Sequence, residues 1–478
     1  MKLEFQDLRD WLSIVNDKGQ LREAQGISLD DVGRIAELSA RTPTGPTLLL
    51  GGFDGYEAGR RILLNPYGAP SQVATTFGMP ETRSSIELLE HFKERLKNVE
   101  FIPPSVEGDG PILQNVLEGE EIDLTALPVP KWHEGDGGRY IGTGCLVITR
   151  DPEEGWVNVA AYRVQMHSKN EVTWYVSPGH HGFIHRNKYF ERGERCPVVV
   201  VFGSDPLLFG AAMSELPWGV SELDWVGGWR EAPVPVVEGP HTGLPIPAGA
   251  EIAIEGFVDS ESKRHEGPFG EWTGYYASAF REEPIIDICA LYHRDDPILL
   301  GIPPEKPPFD ADKGRQYIKS ALLTNQLREQ GIPGIANAWC YGVGGGRLLI
   351  AVAIKQQYSG HSSQVGHAAY ASPYGNYLGR YVVVVDEDVD VTDLQDLVWA
   401  ILTRTDPATS IDFINKATSS LLDPMISPEA RALGKLYNSR AIIDATRPYE
   451  WKEEFPKPVG SPIEELEETK RLYGYLFE

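Results

Sequence analysis

One twelve-residue stretch, 265–276, constrains this chain more than any other part of it. It places Glu266 and Glu271 on either side of Gly267-Pro268 and a further glycine. Glycine permits positive φ, and proline fixes φ and removes a donor, so the stretch predicts a tight loop. An acidic surface turn is one interpretation. The aromatic residues that begin at Trp272 favour the other, in which two acid/base carboxylates stand beside a pocket for a flat ligand.

Length and charge narrow the classes of function. A chain of 478 residues, 41% of them hydrophobic, can fill two or three domain cores. The net charge of −25 argues against nucleic acid and anionic membranes as partners. A phosphate-bearing ligand then needs a local cation, because like charges about 4 Å apart repel by roughly 4 kcal/mol at an effective dielectric near 20.

Two further features predict the compartment. No apolar run approaches 18 residues and no signal-peptide pattern stands at the N-terminus, so we expect no membrane span. The four cysteines are dispersed and lie in or beside apolar runs, which predicts buried, reduced thiols. Together these features predict a cytoplasmic protein.

The texture of the chain changes twice, which predicts an α+β multidomain fold. Helical spacing near residue 10 and a helix over Ser85–Leu96 indicate an α/β beginning. Short β-like segments such as Val157–Gln165 recur from 141 to about 300 and predict an antiparallel barrel or sandwich. Helix and strand patterns alternate again after residue 305, and an amphipathic helix is predicted from about Pro462 to Leu476. The predicted units are 1–110, 111–305, 306–455 and 456–478.

A glycine-rich segment, 342–346, resembles a phosphate-binding loop at first sight. It lacks the Lys-Ser/Thr pair and a helix directly after it. We therefore predict a turn.

Polar residues elsewhere are ambiguous when read alone. Asn158 and Arg163 lie five apart on one predicted strand, so strict alternation puts them on opposite faces unless the strand twists, bulges or curls. Three histidines within six residues predict either metal ligands or polar packing. Glu222 alone would be an ordinary loop acid. The histidines are His180, His181 and His185.

Taken together and in order, these segments resemble the UbiD family of decarboxylases. The resemblance covers nearly the whole chain. The segments that carry it are 132–140, Asn158-x4-Arg163 with Lys169-Asn170, the region of His181, 211–222, 251–256, 266–275, 355–361, 399–407 and 439–446.

The resemblance implies a central split β-barrel (flavin-reductase-like) flanked by an N-terminal α/β domain and a C-terminal α/β oligomerisation domain with a terminal helix. It also implies prenylated FMN, whose phosphate is bridged to the protein by Mn²⁺ or another divalent cation and by K⁺. The implied metal ligands are Asn158, His181 and Glu222, with the register between His180 and His181 open, and Arg440 takes a phosphate-binding position. The implied cofactor-binding residues are Asn158, Val159, Ala161, Tyr162, Arg163, His180, His181, Ala212, Met213, Ser214, Glu222 and Arg440.

The implied catalytic residues are Arg163, Glu266 and Glu271. The implied reaction is a reversible, non-oxidative decarboxylation of an aromatic, heteroaromatic or α,β-unsaturated acid. It proceeds by cycloaddition or covalent adduct formation with the cofactor, loss of CO₂ and protonation by Glu271. The implied partners are a carboxylic acid substrate and CO₂, a flavin prenyltransferase that supplies the cofactor, and other copies of the chain in a homodimer or homohexamer.

The alternatives are a metal-dependent hydrolase that uses Glu266 and Glu271, and a non-catalytic cofactor-handling protein. Trp272 is either a pocket wall for a flat ring or a structural residue.

Overall fold

The structure is a computed structural model, in which we describe residues 3–42, 44–82, 84–214, 216–277, 280–461 and 463–476, without the side chains of residues 463, 464 and 467. The helices are α1 Leu8–Asp17, α2 Val32–Arg41, α3 Pro70–Thr76, α4 Ser85–Leu96, α5 His181–Glu191, α6 Pro206–Ala212, α7 Glu222–Arg230, α8 Asp310–Glu329, α9 His361–Ala371, α10 Pro373–Asn376, α11 Leu394–Arg404, α12 Pro428–Ala432 and α13 Ile463–Tyr473.

The strands alternate with these helices at both ends of the chain and dominate its middle. They are β1 Leu21–Gln25, β2 Thr47–Gly51, β3 Arg61–Leu64, β4 Ser105–Val106, β5 Asn115–Glu118, β6 Arg139–Gly142, β7 Leu146–Arg150, β8 Val157–Ala160, β9 Val164–Met166, β10 Glu171–Trp174, β11 Cys196–Val201, β12 Pro235–Glu238, β13 Pro245–Pro247, β14 Ile252–Glu266, β15 Arg281–His293, β16 Ile298–Gly301, β17 Ile335–Cys340, β18 Leu349–Ile354, β19 Tyr381–Asp386, β20 Ile411–Thr418 and β21 Tyr437–Ala445.

The central sheet is antiparallel and open. Its strands follow the order β6-β9-β10-β15-β14-β11-β7-β8, and β5 pairs with the far half of β15. The long β14–β15 hairpin forms its spine, and the register of the hairpin shifts at two places, between Glu255 and Gly256 and between Val258 and Lys263. Such bulges bend a strand, and a bent antiparallel sheet curls toward a barrel. This half-barrel confirms the predicted α+β fold with a central split barrel.

Two mixed sheets flank the half-barrel. The N-terminal sheet has the order β1-β2-β3-β16, so it takes its last strand from the chain that follows the half-barrel. The C-terminal sheet has the order β17-β18-β19-β21-β20, and a small sheet joins β4, β12 and β13. A single apolar core includes residues of all three large sheets, among them Leu49, Leu146 and Val383. The three large sheets therefore form one packed frame.

Most predicted elements are confirmed, and the middle of the chain holds the corrections. The predicted strand Val157–Gln165 is wrong as one element, because β8 ends at Ala160 and β9 begins at Val164. Three helices, α5 to α7, interrupt a region in which the sequence indicated mainly strands. Residues 342–344 form a 3-10 turn, as expected. The cysteines are free, but Cys289 is only half-buried. The unit boundaries at 110, 305 and 455 stay predictions, and Pro462 lies outside the described residues.

Among the described helices, none has both the length and the apolar composition that a crossing of the bilayer requires.

Candidate active site

Arg163 joins the two carboxylates of the glycine-rich loop. Its Nε and Nη2 donate to the two oxygens of Glu266 at 2.8 and 2.7 Å. Its Nη1 donates to Oε1 of Glu271 at 2.5 Å. The side chain of Glu266 has no exposed surface, and the other two side chains are each 8% exposed. One guanidinium therefore holds two buried carboxylates with three charge-assisted hydrogen bonds.

The break between β8 and β9 puts Arg163 in this position. Residues 161–163 leave the strand ladder, so Arg163 is released from the alternation that would have opposed it to Asn158. Glu266 is the last residue of β14, and the chain turns at Gly267 with φ near +90°. The turn closes again because the N–H of Gly274 donates to the carbonyl of Glu271, and the N–H of Glu271 donates to the carbonyl of Tyr275.

The segment 132–140 lies across this loop like a strap. The N–H of Gly137 donates to the carbonyl of Pro268 at 2.7 Å. A Cβ at position 137 would stand 1.8 Å from the carbonyl oxygen of Gly267, so only glycine permits the approach. The hydroxyl of Tyr140 donates to Oε1 of Glu266 at 2.8 Å, and the Tyr140 ring stacks on Phe269 with 3.8 Å between centroids.

Aromatic rings and carboxylates around Arg163 determine the protonation state of its guanidinium. The guanidinium carbon lies 4.3 Å from the ring centroid of Tyr175 and 5.7 Å from that of Phe269. Burial alone would lower the pKa of Arg163, but the carboxylates of Glu271 and Glu266 outweigh burial and raise it. Burial raises the pKa of Tyr140, and the Glu266 charge adds to that effect. Both groups therefore remain protonated around neutral pH.

A cavity with two lobes opens beside this network. The small lobe, of about 200 Å³, is lined by Arg163 and Glu271 among others. The large lobe, of about 520 Å³, is lined by Asn158, His181 and Glu222. The lobes are adjacent, since they share nine lining residues, which are Ala161, Tyr162, Tyr175, Ser177, His180, Met213, Arg315, Arg347 and Tyr377.

The large lobe ends at the starts of two helices. His181 is the first residue of α5 and Glu222 the first of α7, and such helix starts favour anions. The carboxylate of Glu222 is buried and accepts the N–H of Val159 at 2.7 Å. Within the described ranges it forms no ion pair with Lys, Arg or His. Burial raises the pKa of Glu222 to about 8, and burial lowers the pKa of His181.

Of the other residues predicted for cofactor binding, most line the cavity and Val159 does not. His180 lines both lobes and packs edge-on against Tyr162 and Tyr377, whereas His181 lines the large lobe alone and contacts Trp156. The residues that also line the cavity are Ala161, Tyr162, Ala212, Met213 and Ser214. Val159 lines neither lobe and reaches the site through its backbone N–H.

Arg440 is not among the residues that line the cavity. Its guanidinium donates to the carbonyl of Gly375 at 3.0 Å and to that of Thr418 at 2.8 Å, and it also donates to the carbonyl of Asn376. The partners of Arg440 in this structure are thus backbone carbonyls and the side chain of Asn438, and its role at a phosphate stays a prediction.

Sequence patterns do not identify several residues of the site. Tyr140 lay in a recognised segment, but its hydrogen bond to Glu266 crosses 126 positions of sequence. Arg315, Arg347 and Tyr377 come from the C-terminal part of the chain and line both lobes. No local pattern marks these three, because packing of α8 and of the C-terminal sheet against the half-barrel brings them to the cavity.

Comparison with family models gives two matches. Residues 105–307 match the 3-octaprenyl-4-hydroxybenzoate carboxy-lyase Rift-related domain, described as UbiD. Residues 315–445 match the C-terminal domain of the same carboxy-lyase.

Comparison with curated proteins gives relatives over the full length. The phenolic acid decarboxylase of Bacillus subtilis (strain 168) is 30% identical over 485 residues, covering 98% of this chain and 99% of the relative. The phenolic acid decarboxylase of Streptomyces sp. (strain D7) is 30% identical over 457 residues, covering 93% of each chain.

Solved structures share the fold. The open form of vanillic acid decarboxylase from Sedimentibacter hydroxybenzoicus superposes with a TM-score of 0.86 at 25% identity, covering 99% of this chain and 100% of that one. A UbiD-class enzyme from Pelotomaculum thermopropionicum in complex with FMN has a TM-score of 0.84 at 24% identity, covering 96% and 98%. The second likeness is one of fold alone.

Tyr140→Phe tests the strap over the loop. The ring stack on Phe269 is kept, while the carboxylate of Glu266 loses a buried donor. Because a hydrogen bond to a charged group contributes about 1.5–3 kcal/mol, we expect a drop of that size in the free energy of unfolding. Tyr358→Phe is the matched control, since its hydroxyl donates to the uncharged Oε1 of Gln364 in an exposed hydrogen bond. Equal midpoints of chemical unfolding for the two variants would contradict a special role of the Tyr140 hydroxyl.

Proposed function

This chain belongs to the UbiD family of carboxy-lyases, and from that premise we propose that it removes CO₂ reversibly and without oxidation from an aromatic, heteroaromatic or α,β-unsaturated carboxylic acid, with prenylated FMN as cofactor. One observation carries the proposal. Arg163 holds Glu266 and Glu271 together, and Arg163 and Glu271 face the small lobe directly beside the large one. The site thus offers a cation for a substrate carboxylate and an acid next to it.

The residues of the large lobe fit the phosphate end of the cofactor through a cation. A buried carboxylate that has no ion-pair partner in the described chain, such as Glu222, is costly unless a cation neutralises it. A bound divalent ion would do this and would also reconcile a phosphate with a chain of charge −25. When bound, the prenylated flavin supplies the electron sink for the loss of CO₂.

We propose that Asn158, His181 and Glu222 hold this divalent cation, with Mn²⁺ as the first candidate and K⁺ as a second ion of the site. Amide and carboxylate oxygens with one imidazole suit a hard ion such as Mn²⁺. Three protein donors leave coordination positions open, which phosphate oxygens can fill. The neutral imidazole of His181 is the form that binds metal, and burial favours it by lowering the pKa.

The small lobe indicates the shape of the substrate. Its walls include the side chains of Phe269, Trp272, Ile302 and Phe309, which suit a flat ring. The substrates named for relatives, phenolic acids and vanillic acid, are flat aromatic acids. We propose an acid of this kind as the first substrate to try.

The roles of the network follow from its charges. The guanidinium of Arg163 stays charged because its pKa is raised, and it can hold the carboxylate of the substrate by a charge-assisted pair. Glu266 lines neither lobe and serves to orient Arg163, together with Tyr140. Glu271 lines the small lobe, which supports it as the group that delivers a proton to the carbon that has lost CO₂.

The rival functions fit this arrangement less well. In a metal-dependent hydrolase the carboxylate base must reach a metal-bound water, but Glu266 lines neither lobe of the cavity. A non-catalytic cofactor-handling protein would not need Arg163 and two buried carboxylates beside the cavity. Both arguments favour decarboxylation.

Two partners complete the proposal. A flavin prenyltransferase supplies the cofactor, and the chain assembles as a homodimer or homohexamer through its C-terminal α/β unit. Exposed apolar side chains on this unit support such an interface, among them Leu402 and Phe413, which are 76% and 71% exposed.

The direct test is reconstitution. Protein made with a flavin prenyltransferase should show a flavin-type absorbance band and release CO₂ from vanillic acid or another ring carboxylate. Protein made without the prenyltransferase should be folded and inactive. CO₂ release by metal-loaded protein that contains no flavin in its mass spectrum would overturn the proposed cofactor.

Deuterium incorporation tests the proton donor. Decarboxylation in D₂O should place one deuterium at the carbon that loses CO₂, and Glu271 should also catalyse H/D exchange of the product. Glu271→Gln removes the only titratable proton of that side chain, so both reactions should fall by roughly 10²–10⁴-fold. The control is Glu261→Gln, an exposed carboxylate on the β14–β15 hairpin. Normal product exchange in Glu271→Gln would assign the proton to another group.

Metal binding tests Glu222 apart from catalysis. Glu222→Gln should weaken binding of Mn²⁺ by at least about tenfold in the presence of inorganic phosphate, measured by calorimetry. Metal-free Glu222→Gln should melt no lower than wild type at pH 9, because it removes a buried charge. Asp224→Asn is the matched control, since it removes a charge from the same first turn of α7 but lines neither lobe. Equal loss of Mn²⁺ affinity in both variants would mean a general electrostatic effect.

A further inference from the structure

The glycine-rich turn 342–346 lies against the residue that follows the proton donor. Gly345 has φ near +63°, and a Cβ built on it would stand 2.0 Å from Cε3 and 2.6 Å from Cζ3 of Trp272. The backbone of Gly345 is therefore in direct contact with the benzene half of the indole. Any larger residue at this position would have to displace either the turn or the ring.

Arg347, two residues later, extends the same contact. Its guanidinium carbon lies 5.0 Å from the ring centroid of Trp272 and 5.6 Å from that of Tyr377. The side chain is 7% exposed and lines both lobes, and Trp272 lines the small lobe. A planar guanidinium stacks on aromatic faces in a way that the ammonium of lysine does not.

The turn is itself anchored. The N–H of Gly342 donates to Oε1 of Gln316 on α8 at 3.2 Å, and the hydroxyl of Tyr341 donates to the carbonyl of Val391 at 2.7 Å. On the other side of the contact, two backbone hydrogen bonds close the chain from Glu271 to Tyr275 into a compact turn. Trp272 therefore lies inside a closed turn that also contains Glu271.

We propose that Gly345 and Arg347 are positioning residues that hold the Trp272 ring and, through it, set the place of the Glu271 carboxyl in the small lobe. The inference rests on the proposed function, in which Glu271 delivers the proton. The connection between β17 and β18 thereby contributes to proton delivery on the half-barrel.

Gly345→Ala tests the contact in the reconstituted enzyme. Misplacement of a catalytic group by about 1 Å costs roughly 10²-fold in rate, so we expect a fall in kcat of that order with cofactor absorbance and KM for the ring acid little changed. Gly331→Ala is the matched control. It has φ near +77° with no atom within 4 Å of its new Cβ, so it carries the backbone strain without the contact. Product H/D exchange should fall together with kcat in Gly345→Ala, and both should stay near the wild-type values in Gly331→Ala.

A double variant shows whether the effect passes through the indole. Trp272→Leu lacks Cε3 and Cζ3, the two atoms nearest to the new methyl group. If Gly345 acts on Glu271 through Trp272, Gly345→Ala should cost little further activity in the Trp272→Leu background. Independent, multiplying losses would overturn the proposal. Should Gly345→Ala fail to fold, Arg347→Lys provides the second test, with an expected fall in kcat of roughly 3- to 30-fold from loss of the stacked guanidinium.

A readout without turnover separates this inference from the proposed function. The near-ultraviolet circular dichroism of Trp272 is isolated as the difference between wild type and Trp272→Leu, both free of cofactor. The same difference is then taken for each glycine variant, with and without Trp272→Leu. Gly345→Ala should change the Trp272 signal, and Gly331→Ala should leave it as in wild type. An unchanged signal in Gly345→Ala would overturn the contact whatever the enzyme does. If wild type decarboxylates no ring acid while the signal shifts as expected, the proposed function fails and the contact stands.

Discussion

The site depends on the hydrogen-bonded ion pairs that the guanidinium of Arg163 forms with the carboxylates of Glu266 and Glu271. Two carboxylates at hydrogen-bonding distance from one guanidinium are stable in a buried place only if each hydrogen bond is satisfied, and three donors of Arg163 do this. The arrangement requires the break after β8, the turn at Gly267 and the strap that carries Tyr140. Local backbone geometry thus serves an electrostatic arrangement that no single element could build.

A second constraint acts at the other end of the cavity. Glu222 is buried at the start of α7, in a chain that already carries a large negative charge. Such a carboxylate is costly by itself, and a cation beside it would remove that cost. The two lobes therefore differ in character: the large lobe has the buried Glu222 in its wall, and the small lobe combines an apolar wall with Arg163 and Glu271.

How far a residue could be predicted depended on how local its contacts are. The loop with Glu266 and Glu271 was readable because glycine and proline restrict the backbone within a few residues. Arg163 was named from the family resemblance, while its own strand was assigned wrongly because alternation cannot show a break. The position of Arg440 in a sequence segment predicts a phosphate contact, whereas the sequence does not show the hydrogen bonds of its side chain to the carbonyls of Gly375 and Thr418. The direction of a long side chain depends on its neighbours in space.

The sequence by itself determined the α+β class, the family and the residues that carry charge near the cavity, because patterning, turn chemistry and motif order are local or linear properties. Only the tertiary structure decided which of those residues meet. It brought Tyr140 to Glu266 across 126 positions, placed Gly345 against Trp272, and gave Arg440 backbone carbonyls as partners. The reason is that sheet curvature and the packing of α8 on the half-barrel set these distances, and both arise from the whole core at once.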